Sequence, residues 1–155
     1  MKFTKFAVLG GALTAMIGVF LKWIQVGGDA PKTLLAELPM TGMDNGGPVF
    51  LFFLALSAIG AGVGSLKRFG RGLAGLSFGG SLLTVFMAFV KYADIEEAGH
   101  AAKELGVTVE VASGYWVLFI GASLACLASL VALVKPEPKL AAPPQGLHAV
   151  SSAQA

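Results

Sequence analysis

Asp94, Glu97 and His100 come nearest in this chain to a set of residues that could do chemistry. They fall at i, i+3 and i+6, and Glu97-Ala98-Gly99-His100 is a Glu-x-x-His unit. Di-iron bundles use two such units with two further glutamates around a central axis. One unit is present here, and Gly99 weakens the helix that would carry it. The functional reading is a metal or proton-sensing site outside any membrane. The competing reading is a solvated helix face, on which Lys91 and Asp94 pair at i, i+3 for a few tenths of a kcal/mol. The expectation is no bound metal and no cofactor, with these three residues the nearest candidates.

The remaining reactive side chains sit in apolar surroundings. Ser57, Ser65, Ser77, Ser81, Thr84, Ser123 and Ser129 have no His or Lys base within the apolar runs, which argues against a serine nucleophile. They are expected to hydrogen-bond to backbone inside a helix bundle. Cys126 is the only cysteine, so neither an intramolecular disulfide nor a paired-thiol redox centre can form, and an isolated Cys in an apolar helix is a packing residue. His100 and His148, the two histidines, both lie outside the apolar runs, where they cannot ligate a membrane haem. No ionisable residue occupies the middle of any run. Such a residue costs about 2.5–3.5 kcal/mol on insertion scales and marks proton relays and ion-coupled transport. Small multidrug transporters, which also have four short helices, depend on a glutamate in the first; the corresponding run here offers only Thr14. The reading is not an enzyme.

The elements that position these residues follow from composition. Of 155 residues, 55% are hydrophobic and 13% charged, against about 25% charged in soluble domains. Mean hydropathy is +0.77. Four separate runs of about 20 apolar residues, each long enough to cross a bilayer, define the class. The fold class is an all-α membrane protein, a four-transmembrane-helix antiparallel bundle with two short structured outer loops.

In chain order, spans are expected at about 5–26, 48–66, 71–92 and 114–134, making one membrane domain over 1–134. The basic start and first apolar run also fit a signal peptide, but the run is long for one, and a retained helix is expected. In the first loop, residues 31–38 suit a short surface helix with Leu34, Leu35 and Leu38 on one face. Pro48 fits a helix start. Lys67-Arg68-Phe69-Gly70-Arg71-Gly72 is a tight basic turn that forces the second and third spans antiparallel. The third helix is expected to run on past Tyr92 to Leu105, with Gly106 as its stop. Residues 107–111 alternate like a strand, and Ser113 is a candidate N-cap for the fourth span. Residues 135–155, rich in Pro and Ala, read as an extended cytoplasmic tail.

Two signals agree on orientation. Lys2, Lys5, Lys67, Arg68, Arg71, Lys135 and Lys139 lie on one side with Glu137 as the sole acid, and eight acids face four lysines on the other. The positive-inside rule makes both termini cytoplasmic. Trp23, Tyr92, Tyr115 and Trp116, all the Trp and Tyr present, fall at the opposite boundary, where amphipathic rings anchor at the interface. The net charge of +2, polarised in this way, excludes nucleic acid as a partner.

Lipid provides no hydrophobic drive for helix association, so the helices need small residues where they meet. Gly10, Thr14 and Gly18 line one side of the first span; Gly60 and Gly64 pair in the second, Gly75 and Gly79 in the third, Gly121 and Ala125 in the fourth. With a Trp ending the first span, a Gly/Asp loop, a basic central turn and Gly-aromatic-Trp opening the last, residues 1–135 resemble the small bacterial four-span integral membrane proteins, mostly without assigned function. The plan is also similar to that of claudin-like tetraspans, whose first-loop Trp and paired-Cys signature is absent, so no function is carried across. The expected role is a non-enzymatic accessory or scaffolding subunit of a larger bacterial inner-membrane assembly, with lipid and other integral membrane subunits as partners. The alternatives are a pore or small-solute transporter formed by oligomerisation, and an outer-side sensor.

Overall fold

A computed structural model describes residues 2–27, 40–66, 70–104 and 106–135, apart from the side chains of Lys2 and Ser65. The proposed surface helix at 31–38, the cations Lys67 and Arg68 and the tail beyond Lys135 lie outside the described residues. The chain runs α1 (Lys2–Phe20), β1 (Ile24–Gly27), α2 (Gly47–Leu66), α3 (Arg71–Glu104), β2 (Thr108–Val111) and α4 (Ser113–Val134). All four helices are long and apolar enough to cross a membrane, as in a multi-pass membrane protein. Each packs on its neighbours in sequence, and α4 closes the ring against α1, giving an antiparallel four-helix bundle.

Helix lengths divide the bundle into two kinds of element. α1, α2 and α4, with 19, 20 and 22 residues, match one crossing. α3 has 34. At 1.5 Å per residue it is about 51 Å long and projects roughly 20 Å beyond a hydrocarbon layer of about 30 Å. It ends as expected at Gly106, whose φ of +75° is a left-handed conformation that glycine adopts without strain.

Two boundaries differ from expectation. The first helix stops at Phe20, not near Val26, and Ile24–Gly27 is a strand paired antiparallel with β2, Ile24 opposite Val111 and Gly27 opposite Thr108. The reason is a set of backbone bonds that a continued helix would forgo. The Trp23 and Gly42 amides donate to Met40 and Leu21 carbonyls at 2.8 and 3.2 Å, and the Ala112 and Gly114 amides donate to Trp23 and Lys22 carbonyls at 2.8 and 3.0 Å. The second difference is at α4, where the N-cap is Ala112 without a side-chain cap bond, and Ser113 is the first helical residue. The segment just before α4 is held instead by the Lys22–Trp23 backbone.

The main core lies at the strand-bearing end, around Val19, Trp23, Phe50, Leu54, Ala88, Tyr115 and Leu118, with Ile24 and Ile95 at its rim. A smaller cluster of Val8, Ala61, Ala74 and Ala132 closes the other end. Large apolar side chains such as Phe52, Phe86 and Ile120 point outward, as lipid-facing residues must.

Candidate contact site at the strand-bearing end

Trp23 is the hub of this end. Its place at the end of an apolar run predicts an interface ring, yet it is fully buried. Its indole Nε1–H donates to the Gly18 carbonyl at 2.9 Å, satisfying one of the carbonyls that the end of α1 leaves without a helical partner. Phe50 and Tyr115 meet the indole edge to face, with centroids 5.2 and 5.9 Å away, a geometry worth about 0.5–1.5 kcal/mol per pair beyond area. Gly42 lies against the ring; a Cβ there would come 2.5 Å from Nε1, so any side chain would displace the indole.

Tyr115 is likewise not an interface anchor. It is 2% exposed and donates its hydroxyl to the Ala88 carbonyl at 2.9 Å, tying α4 to α3. A polar ring atom buried among helices needs such a partner, and the carbonyl supplies it. Tyr92 and Trp116 flank this node, each against the Tyr115 ring with centroids 5.9 and 5.5 Å away, and Trp116 is 46% exposed. The four aromatics therefore split into two buried struts and two rings at the rim.

The loop before α2 is built just as locally. The Asp44 carboxylate accepts from the Thr41 hydroxyl at 2.6 Å, the Asn45 amide donates to the Thr41 carbonyl at 3.0 Å, and Gly46 turns the chain at φ +95°. Lys22 bridges to Thr41, so Leu21–Gly27 is clasped between the pre-α2 loop on one side and β2 on the other.

The residues singled out for metal chemistry are not gathered. Asp94 forms an ion pair with Lys91 at 2.8 Å, and Glu97 and His100 are exposed. Among the described residues no group of three or more His, Cys, Asp or Glu is placed to hold a metal. His100 faces a groove with Glu96 and Lys103 rather than with Glu97. At the opposite end, Arg71 is exposed at the start of α3.

The helix seams use some of the expected glycines and some of their neighbours. Gly18 lies on the Leu118 backbone, and a Cβ at Gly121 would come 2.6 Å from the Ala15 amide and 2.7 Å from the Gly11 carbonyl. Gly60 meets Ser77 and the Leu73 carbonyl, and Gly64 is buried on the same helix. Gly10 has open space around it and Thr14 is exposed; the seam passes through Gly11 and Ala15 instead. Gly79 is equally open and Gly75 touches only Leu133, while Gly80 faces Phe53 and Ser57. In both helices two glycines stand side by side and the neighbour packs on the second. Spacing alone fits either one.

Four of the hydroxyls expected to bond to backbone do so, whereas the Ser57 hydroxyl is buried without a partner among the described residues. Ser77 donates to the Ser57 carbonyl across the α2/α3 seam at 2.9 Å, and Ser81, Thr84 and Ser129 donate within their own helices to Ser77, Gly80 and Ala125 at 2.8, 2.9 and 2.6 Å. Comparison with protein-family models, with curated proteins and with solved structures found no match to this chain.

Proposed function

We propose that this chain is a non-enzymatic accessory or scaffolding subunit of a larger bacterial inner-membrane assembly, with both termini cytoplasmic and the strand-bearing end outside. The observation that carries the reading is the clasp around Trp23. Residues 21–27 are bonded to two separated segments, 40–45 and 112–114, and the set is seated on the aromatic core. Such an end presents a fixed surface where α1, α2 and α4 terminate, and α3 runs on past it, roughly 20 Å longer than one crossing needs. A protein whose work is contact needs that preorganisation, because ordering a surface at the moment of binding costs affinity.

The orientation rests on charge. The antiparallel bundle gathers Lys5, Arg71 and Lys135 at one end, and Asp44, Asp94 and Glu110 at the other, as the positive-inside rule requires of cytoplasmic termini. A cysteine at Gly70 is expected to be shielded from impermeant thiol reagents in intact cells, and one at Asn45 to react; the reverse pattern overturns the orientation. Purification from the native host in mild detergent is expected to bring down stoichiometric membrane partners. Isolation as a lone species, or saturable solute flux by the pure protein in vesicles, overturns the scaffold reading.

A further inference from the structure

Where the projecting part of α3 passes β2, the two elements enclose an open groove of about 240 Å³ lined by Tyr92, Ile95, Glu96, His100, Lys103 and Val111. Its α3 wall is a single helical stripe: Glu96, His100 and Lys103 stand at i, i+4 and i+7 and share a face. Charge along that stripe is ordered, with an acid nearer the bundle and a cation roughly 10 Å further along the axis. The floor is apolar: Ile95 is 5% exposed, and Val111 packs at the edge of the main core.

The strand wall adds backbone groups. In an antiparallel ladder the residues of a non-hydrogen-bonded pair direct their N–H and C=O away from the partner strand. The Ala112 amide donates to Trp23, one step beyond the Ile24–Val111 pair. That register makes Val111 and Val109 the residues whose backbone groups turn away from β1, toward α3. The Val109 carbonyl does face α3, 3.4 Å from where Gly99 would carry a Cβ.

We propose that this groove binds a small zwitterion with an apolar side chain, an α-amino acid or a molecule of that chemistry. Glu96 receives the ammonium group, Lys103 and His100 face the carboxylate, and the Val111 backbone offers the donor and acceptor that a neighbouring strand residue would otherwise meet. Ile95, Tyr92 and the valines take the side chain. The groove is smaller than the pockets of about 300–1,000 Å³ that hold drug-sized molecules, which restricts it to a small ligand. The proposal is independent of the scaffold reading: a scaffold need bind no small molecule, and a binder need have no partner.

The test uses the full-length protein in lipid nanodiscs, with leucine and phenylalanine as probes and saturation-transfer NMR and calorimetry as readouts. Saturable binding is expected. N-acetyl-leucine and leucinamide, each lacking one charge, should bind about tenfold more weakly or worse, the loss of one charge-assisted contact. Glu96→Gln should weaken leucine while leaving leucinamide the more affected analogue, and Lys103→Gln should do the same while leaving N-acetyl-leucine the more affected one. Both sites are exposed, and an unchanged detergent melting midpoint confirms that each variant is folded. Absence of saturable binding by either amino acid, equal binding of leucine and its blocked forms, or wild-type affinity in both variants overturns the proposal.

Discussion

The two glycine-bearing seams of the bundle are made differently. Between α1 and α4, backbone meets backbone: Gly11 and Ala15 lie against Gly121, Gly11 also against Ala125, and Gly18 against Leu118. Between α2 and α3 the approach at Gly60 and Gly80 is joined by a side-chain bond, Ser77 to the Ser57 carbonyl. The first seam depends on the absence of atoms, and the second depends partly on the presence of one. Since lipid gives helices no hydrophobic reason to associate, close packing and interhelical hydrogen bonds are the two available means. This chain uses one on each side.

That contrast can be broken most severely at Gly121. Leucine there would overlap the Ala15 amide and Gly11 carbonyl, neither of which can move without moving α1. Overpacking costs about 1–3 kcal/mol in adaptable cores and more against backbone, so Gly121→Leu is expected to insert into membranes yet show the largest fall in detergent melting midpoint. Gly60→Leu should follow, because one of its obstacles is the Ser77 hydroxyl and the other is the Leu73 carbonyl. An unchanged midpoint for Gly60→Leu would mean that this seam tolerates separation.

Trp23→Phe comes next. It keeps a ring against Phe50 and Tyr115 but removes the donor to Gly18, and about 0.5–1.5 kcal/mol should be lost. Hydrogen exchange at Ala112 and Gly114 should quicken, because the clasp loosens; unchanged protection there would separate the indole from the clasp. Ser77→Ala should cost least among the seam changes, about 0.6 kcal/mol. A larger loss than for Gly60→Leu would invert the comparison and make the polar contact dominant. Gly10→Leu and Gly79→Leu, on open faces, should leave melting unchanged. A marked drop in either would show that those faces are packed in the protein as it exists in detergent.

Gly10 and Gly11, like Gly79 and Gly80, are indistinguishable by spacing for one reason. Spacing says that a helix has a small face, but adjacent glycines are about 100° apart on the helix, and only its rotation within the bundle selects between them. The place of Trp23 is ambiguous along the chain for a related reason. Its place at the end of an apolar run is what an interface ring requires, and nothing local distinguishes that from a buried hub. Glu96 and Lys103 carry no signal along the chain because the groove that joins them has a second wall, β2, from a different stretch of sequence.

The class of the protein is legible along the chain: four apolar runs, the antiparallel order imposed by a short basic turn, the long third helix with its stop at Gly106, and the strand-like alternation at 107–111. These are local properties, set by hydropathy, turn chemistry and residue periodicity within a few positions. Where α1 ends, which glycines meet a neighbour and which aromatics are buried are set by the packed bundle. Each of those depends on groups far apart in sequence, as Trp23 does on Met40, Phe50, Ala112 and Tyr115. A backbone amide or indole is satisfied by whichever partner the fold brings within reach, and no window along the chain contains that partner.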